Sequence, residues 1–104
     1  DRAQIAYERV QIQLSQFQAA NEMEVRNAAI NMQQSREILE DRQASMEQAR
    51  DIYDIAQIKF KEGVGSSVEL TQAERELYNA QGQYIQAAHQ LIVAQMELDK
   101  ALGI

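Results

Sequence analysis

Large and small apolar side chains alternate along this chain at steps of three and four residues, and the order read towards a glycine pair, Gly63 and Gly65, is read back in reverse beyond it. Before the pair the positions are Ala3, Tyr7, Val10, Leu14, Phe17, Asn21, Val25, Ala28, Met32, Ser35, Leu39, Arg42, Met46, Ala49, Tyr53, Ala56 and Phe60, of which only Asn21, Ser35 and Arg42 are polar. After it they are Leu70, Ala73, Leu77, Ala80, Tyr84, Ala87, Leu91, Ala94, Leu98 and Ala101, all apolar. A mean step of about 3.5 residues is the coiled-coil period, so both arms are predicted to be helices. One slip interrupts the first arm, where the steps on both sides of Asn21 are four, and such a slip locally unwinds a supercoil.

Folding the chain near Gly65 places Phe60 opposite Leu70, Tyr53 opposite Leu77, Met46 opposite Tyr84, Leu39 opposite Leu91, and Met32 opposite Leu98. The same register sets Ala56 against Ala73, Ala49 against Ala80, Arg42 against Ala87, Ser35 against Ala94, and Ala28 against Ala101. A parallel or slipped register does not keep large with large and small with small. Alanine layers let two backbones approach and the large layers fill what remains. Full burial of one Leu or Phe contributes about 1.5–3 kcal/mol, so five large layers outweigh the entropy of closing a short turn.

Composition agrees. The 104 residues include no proline, and alanine and glutamine, both good helix formers, each make up about one residue in seven. A net charge of −6 with scattered lysine and arginine excludes a nucleic-acid surface, which needs clustered cations. Without cysteine there is no disulfide framework or thiolate site. No apolar run reaches the roughly 20 residues that span a bilayer, and the start, Asp1-Arg2-Ala3-Gln4, lacks a signal-peptide core, so the chain reads as an interior fragment.

The turn is legible too. Gly63 suits the left-handed conformation that ends a helix, and Gly65 supplies a second permissive residue. Ser66 and Glu69 have the spacing of a capping box, and Gly103 after Leu102 is a stop signal. The expectation is a single helical hairpin over 1–104: a helix over about 2–62, a tip turn at 63–66 and a helix over about 67–102. At 1.5 Å per residue the arms are about 90 Å and about 54 Å long. Residues 1 to about 24 then have no partner, although Tyr7, Val10, Leu14 and Phe17 call for burial against a missing helix. A second apolar stripe runs along the return arm at Tyr78, Gly82, Ile85, His89, Ile92 and Met96, and less regularly along the first arm at Ile30, Ile38, Ile52 and Ile55. Two stripes per helix suit a sheet or cylinder of helices, and equally an oligomer of hairpins.

No catalytic, metal or cofactor site is expected. His89 is the only histidine and has no cysteine or carboxylate cluster beside it. Glu37, Glu40 and Asp41 alternate with Arg36 and Arg42, which reads as a solvated ion-pair face. Tyr7, Tyr53, Tyr78 and Tyr84 all fall on apolar stripes, where core packing accounts for them.

The run Phe60-Lys61-Glu62-Gly63-Val64-Gly65-Ser66-Ser67-Val68-Glu69-Leu70-Thr71-Gln72-Ala73 resembles the F/Y-x-x-G-x-x-S-x-x-D/E-V/L-x-x-A tip of TolC-type outer-membrane efflux proteins, and Leu98-Asp99-Lys100-Ala101-Leu102-Gly103 is similar to their helix ending. The resemblance implies an all-α, long antiparallel coiled-coil hairpin that forms part of a periplasmic α-helical barrel in a trimeric outer-membrane channel of a Gram-negative bacterium. It implies that long helices pass shorter stacked ones, and that the tip meets a periplasmic adaptor protein through Gly63, Val64, Gly65, Ser66 and Ser67. Turn and cap chemistry by itself also accounts for the glycines and Ser66; Val64, apolar at an exposed tip, is not demanded by the turn. Glu69 matches one of two acidic channel-constricting positions of some members, and Gln72 departs at the other. Tyrosine and arginine links that close some members fall at Phe60 and Gly65, which lack the hydroxyl and the charge.

Two other classes fit the residues: the coiled-coil hairpin of a periplasmic adaptor protein, and a generic structural coiled coil or membrane-surface helix. The acidic charge opposes the membrane-surface option. The unpaired overhang predicts a dimer or higher oligomer of the isolated chain.

Overall fold

The computed structural model describes residues 1–103 and consists of two helices, α1 (Arg2–Lys61) and α2 (Ser67–Leu102), joined by a short turn. Asp1 caps α1, its carboxylate accepting from the Ala3 amide at 3.3 Å. Among the described residues there is no strand, and the chain is an all-α hairpin. It measures 92 × 19 × 14 Å. A 60-residue helix is about 90 Å long at about 1.5 Å per residue, so α1 sets the length and two adjacent helices set the cross-section.

Burial follows the seam. On α2 all ten seam residues from Leu70 to Ala101 are buried or half-buried; on α1 the same holds from Val25 to Ala56 except at Arg42. Every residue before Val25 is exposed. Surface grooves at four points along the rod fix the register, because they bring together Ala56 with Ala73, Arg42 with Ala87, Ser35 with Ala94, and Ala28 with Lys100 beside Ala101. These are the small-layer pairs that folding near Gly65 requires.

The core, however, is alanine. The buried hydrophobic residues are Ala56, Ala73, Ala87, Ala94 and Ala101, while Leu39, Met46, Tyr53, Leu77, Tyr84 and Leu91 are only half-buried. Two helices share a single line of contact, so a side chain small enough to lie on that line disappears and a larger one splays to its edge. The five large layers therefore contribute less than full burial would give. Phe60, next to the turn, keeps 44% of its surface exposed. Arg42 lines an open groove with Ala87 and is itself exposed.

The charged cluster near the middle of α1 is exposed, and Glu37 accepts from Gln33 Nε2 at 3.4 Å and not from one of the arginines beside it. No buried side-chain nitrogen or oxygen among the described residues lacks a hydrogen-bond partner.

Candidate functional site: the hairpin tip

The five expected contact residues, Gly63, Val64, Gly65, Ser66 and Ser67, lie together at the end of the rod, and the backbone bonds that put them there form a Schellman turn. Glu62 caps α1 and bonds to the Ile58 carbonyl, Gly63 adopts φ +80°, its amide donates to the Phe60 carbonyl at 3.1 Å, and the Val64 amide donates to the Lys59 carbonyl at 3.0 Å. Both bonds satisfy carbonyls that the end of α1 leaves without partners. Gly63 is thus glycine because of its backbone angle.

Gly65 is glycine for a different reason. Its φ is not positive, which corrects the expectation of a second conformationally permissive residue. Its amide donates to the same Lys59 carbonyl at 3.0 Å, and this folds the turn so tightly onto α1 that a Cβ at position 65 would lie 2.9 Å from Lys59 Cβ and 3.2 Å from the Lys59 carbonyl carbon. No side chain fits there while the turn keeps this shape.

Ser66 opens α2 in an extended conformation, and its Oγ accepts from the Glu69 amide at 3.1 Å. This is the hydroxyl half of the capping box. Glu69 lies in a groove with Lys59, Ile52, Ile55, Gln72 and Glu76. Thr71 Oγ1 donates to the Ser67 carbonyl at 2.8 Å, which ties the first turn of α2 to itself. The two helix ends meet here with opposite dipoles, and the side-chain charges complement both: Lys59 and Lys61 in the last turn of α1, Glu69 in the first of α2.

Val64 is 75% exposed. It occupies the position of a Schellman turn that often packs an apolar side chain back onto the helix, so an apolar residue has a structural rationale here, but its exposure shows that little of the side chain is used that way. Val68, which sequence reasoning passed over, is 73% exposed in the first turn of α2. The available signal was that Val68 lies off the Leu70–Ala73 seam, so the hairpin contact could not bury it.

The second stripe is exposed on both helices. Tyr78, Ile85, Ile92 and Met96 on α2 and Ile30, Ile38, Ile52 and Ile55 on α1 all keep large exposed areas, and His89 is exposed among them. At about 100° per residue the α2 stripe stands about 150° round the helix from the seam. α2 therefore offers a covered face to its partner arm and an open apolar face on nearly the opposite side, whereas Ile38, Ile52 and Ile55 of α1 line grooves beside the seam.

Among the described residues no group of histidine, cysteine, aspartate and glutamate could hold a metal ion, and no helix is long and apolar enough to cross a membrane. A sequence model described as Outer membrane efflux protein matches residues 1–104, the whole chain. No curated protein and no solved structure matches it.

Proposed function

We propose a reading whose premise is family membership: the chain belongs to the outer membrane efflux protein family, a family of transport channels. On this reading the hairpin is a periplasmic segment of the α-helical barrel of a trimeric channel for efflux or type I export, and its tip docks a periplasmic adaptor protein. It acts as conduit wall and docking element, with no catalytic step.

The observation that carries the docking role is the pair Val64 and Val68. Both stand near the end of a 92 Å rod, Val64 on a turn whose backbone bonds are made internally and Val68 in the first turn of α2, with 75% and 73% of their surface open. Single exposed apolar residues are ordinary, but two within five residues at one end of the rod offer a partner's apolar side chains a place to anchor. Glycines and Ser66 shape this anchor; Ser67 adds a polar rim.

The barrel role is supported by the two faces of α2. A helix whose neighbours stand about 150° apart fits a closed ring of about twelve helices, each spaced by one packing contact. Three protomers with four helical columns each make such a ring, and this hairpin supplies two columns. Glu69 and Gln72, in one groove near the tip, would then face a narrowed end of the conduit. The match over the whole chain favours this channel over the adaptor hairpin that the residues also allow.

The test is made in the full-length protein. Val64→Asp and Gly63→Trp are expected to abolish pump assembly with the adaptor while trimers still form on native gels. Normal drug efflux by both variants would overturn the docking role.

A further inference from the structure

Arg42 breaks the pattern of the paired seam. Every other seam residue of α1 from Val25 to Ala56 is buried or half-buried, yet Arg42 is exposed, in a layer whose neighbours of the same kind are Ser35 and Ala49. Two backbones close enough to press Ala87 to 3% exposure leave no room between them for a long side chain. The arginine therefore leaves the line of contact, and it does so on one definite side: it lines a groove of about 300 Å³ with Ile38, Gln83, Gln86, Ala87 and Gln90.

In that groove Arg42 is a cation with no carboxylate beside it. No acidic residue lines the groove. On its own helix the residues three and four away, where side chains can meet along the surface, are Ile38, Leu39, Ser45 and Met46. Asp41 is next in sequence, and adjacent residues do not face each other on a helix. The other arginines of the paired part of α1 are placed differently: Arg26, Arg36 and Arg50 each have a carboxylate four residues away, at Glu22, Glu40 and Asp54. Along α2, Glu76 and Glu97 stand ten and eleven residues from Gln86. That is about 15 Å and about 16 Å along the helix, beyond the roughly 8 Å over which charges act in physiological salt.

We propose that this groove is a weak subsite for the anionic head of an organic solute, a carboxylate, sulfonate or phosphate, and that in the channel it opens on the conduit. The guanidinium is a planar fork of N–H donors that matches the oxygens of such a head, and Gln83, Gln86 and Gln90 bring side-chain NH2 donors to the same groove. Ile38 supplies an apolar edge for the body that carries the head.

The placement on the conduit rests on the channel reading. Glu69, Glu76, Gln83, Gln86, Gln90 and Glu97 follow one another on α2 at steps of three, four or seven residues, a line that is neither the seam nor the second stripe. Arg42 thus shares the face of Glu69. Three protomers would set three arginines at one level, between acidic levels at Glu76 and Glu97. A conduit is served by sites that hold a solute briefly and release it, and one arginine in an open groove has that character.

The probe is benzenesulfonate, with benzyltrimethylammonium as a cation of similar body, at constant ionic strength. In NMR spectra of the side-chain N–H groups of this chain, Arg42 and the three glutamines are expected to shift together and saturate with benzenesulfonate and not with the cation, while Arg36 and Arg50 do not saturate. Arg42→Gln is expected to abolish the saturable shifts of the glutamines, and Arg42→Lys to weaken binding about tenfold, with circular dichroism unchanged because Arg42 is exposed. Arg42 shifting no more than Arg36 and Arg50 would mean general charge screening and overturn the subsite. In planar bilayers, the full-length protein with Arg42→Gln is expected to show a K+/Cl− permeability ratio at least about twofold above the parent's, and Arg42→Lys to stay near it. An unchanged ratio in a conducting Arg42→Gln channel would overturn the conduit placement. A full-length protein that forms no channel would overturn the channel reading and the placement together, with the subsite still decided by the NMR spectra.

Discussion

From Val25 to Ala56, α1 lies against α2 and its seam is covered; from Arg2 to Glu24 the same helix, with the same spacing of three and four, has every side chain in solvent. Spacing is equal in the two regions, so it does not decide burial. What differs is the presence of a facing arm. Where the arms are paired, Ala56 of α1 is 7% exposed and Ala87 and Ala94 of α2 are 3% exposed, which shows how closely the backbones approach, whereas the overhang carries Val10, Leu14 and Phe17 on its seam with nothing facing them. Most helical stability in proteins comes from packing an apolar face against a neighbour, which the overhang lacks. The overhang is helical because its ladder continues from a paired segment and because its alanines and glutamines favour the helix, and its stability waits on a partner.

The largest expected effect sharpens this contrast. Leu91→Ala removes a half-buried layer and is expected to cost about 2 kcal/mol, whereas Leu14→Ala at nanomolar chain concentration costs less than about 0.5 kcal/mol because Leu14 has nothing to lose in the single chain. Urea unfolding followed by circular dichroism measures both. An equal cost for Leu14→Ala and Leu91→Ala would break the comparison.

Gly65→Ala comes next. The added methyl meets Lys59 Cβ at 2.9 Å and backbone atoms at 3.2 Å, neither of which is a flexible side-chain end, so the turn must open at a cost of about 1–3 kcal/mol. The midpoint of thermal unfolding is expected to fall, while helix content in the overhang, far from the tip, stays as it is. A Gly65→Ala protein as stable as the parent would show that the tip relaxes freely, and would remove rigidity from the docking argument.

The smallest effect has the opposite sign. Gly82 lies inside α2 on the open stripe, and a Cβ there meets nothing within 4 Å. Gly82→Ala should therefore stabilise the hairpin by about 0.5–1 kcal/mol through helix propensity. In the full-length channel the same change is expected to weaken trimers, because a neighbour packed on the stripe would need the space. Stabilisation in both settings would mean that nothing approaches closely at this position.

Much of the fold and part of the site could be read from the residues. The ten layers and the turn together set the register without coordinates, because alternation of large and small restricts slips to whole heptads and a short turn at Gly63–Ser66 selects one of them, and the grooves that hold Ser35 with Ala94 and Arg42 with Ala87 follow it. The Ser66 cap and the left-handed Gly63 were legible because a cap hydroxyl and a positive φ each demand a small set of residue types. Val68 escaped notice because exposure depends on where the neighbouring helix lies, and the motif around it draws attention to the glycines.

The sequence by itself determined that this chain is two helices of unequal length folded near Gly65, with an apolar overhang and a second stripe, because periodicity specifies angular position around a helix and turn chemistry specifies where it ends. The tertiary structure decided the distances. It made the core alanine instead of leucine, turned Gly65 from a flexible residue into one held against Lys59, and left Val64 and Val68 open together at the apex. Spacing states which way a side chain points, and only the approach of a second backbone settles how much of it water still touches.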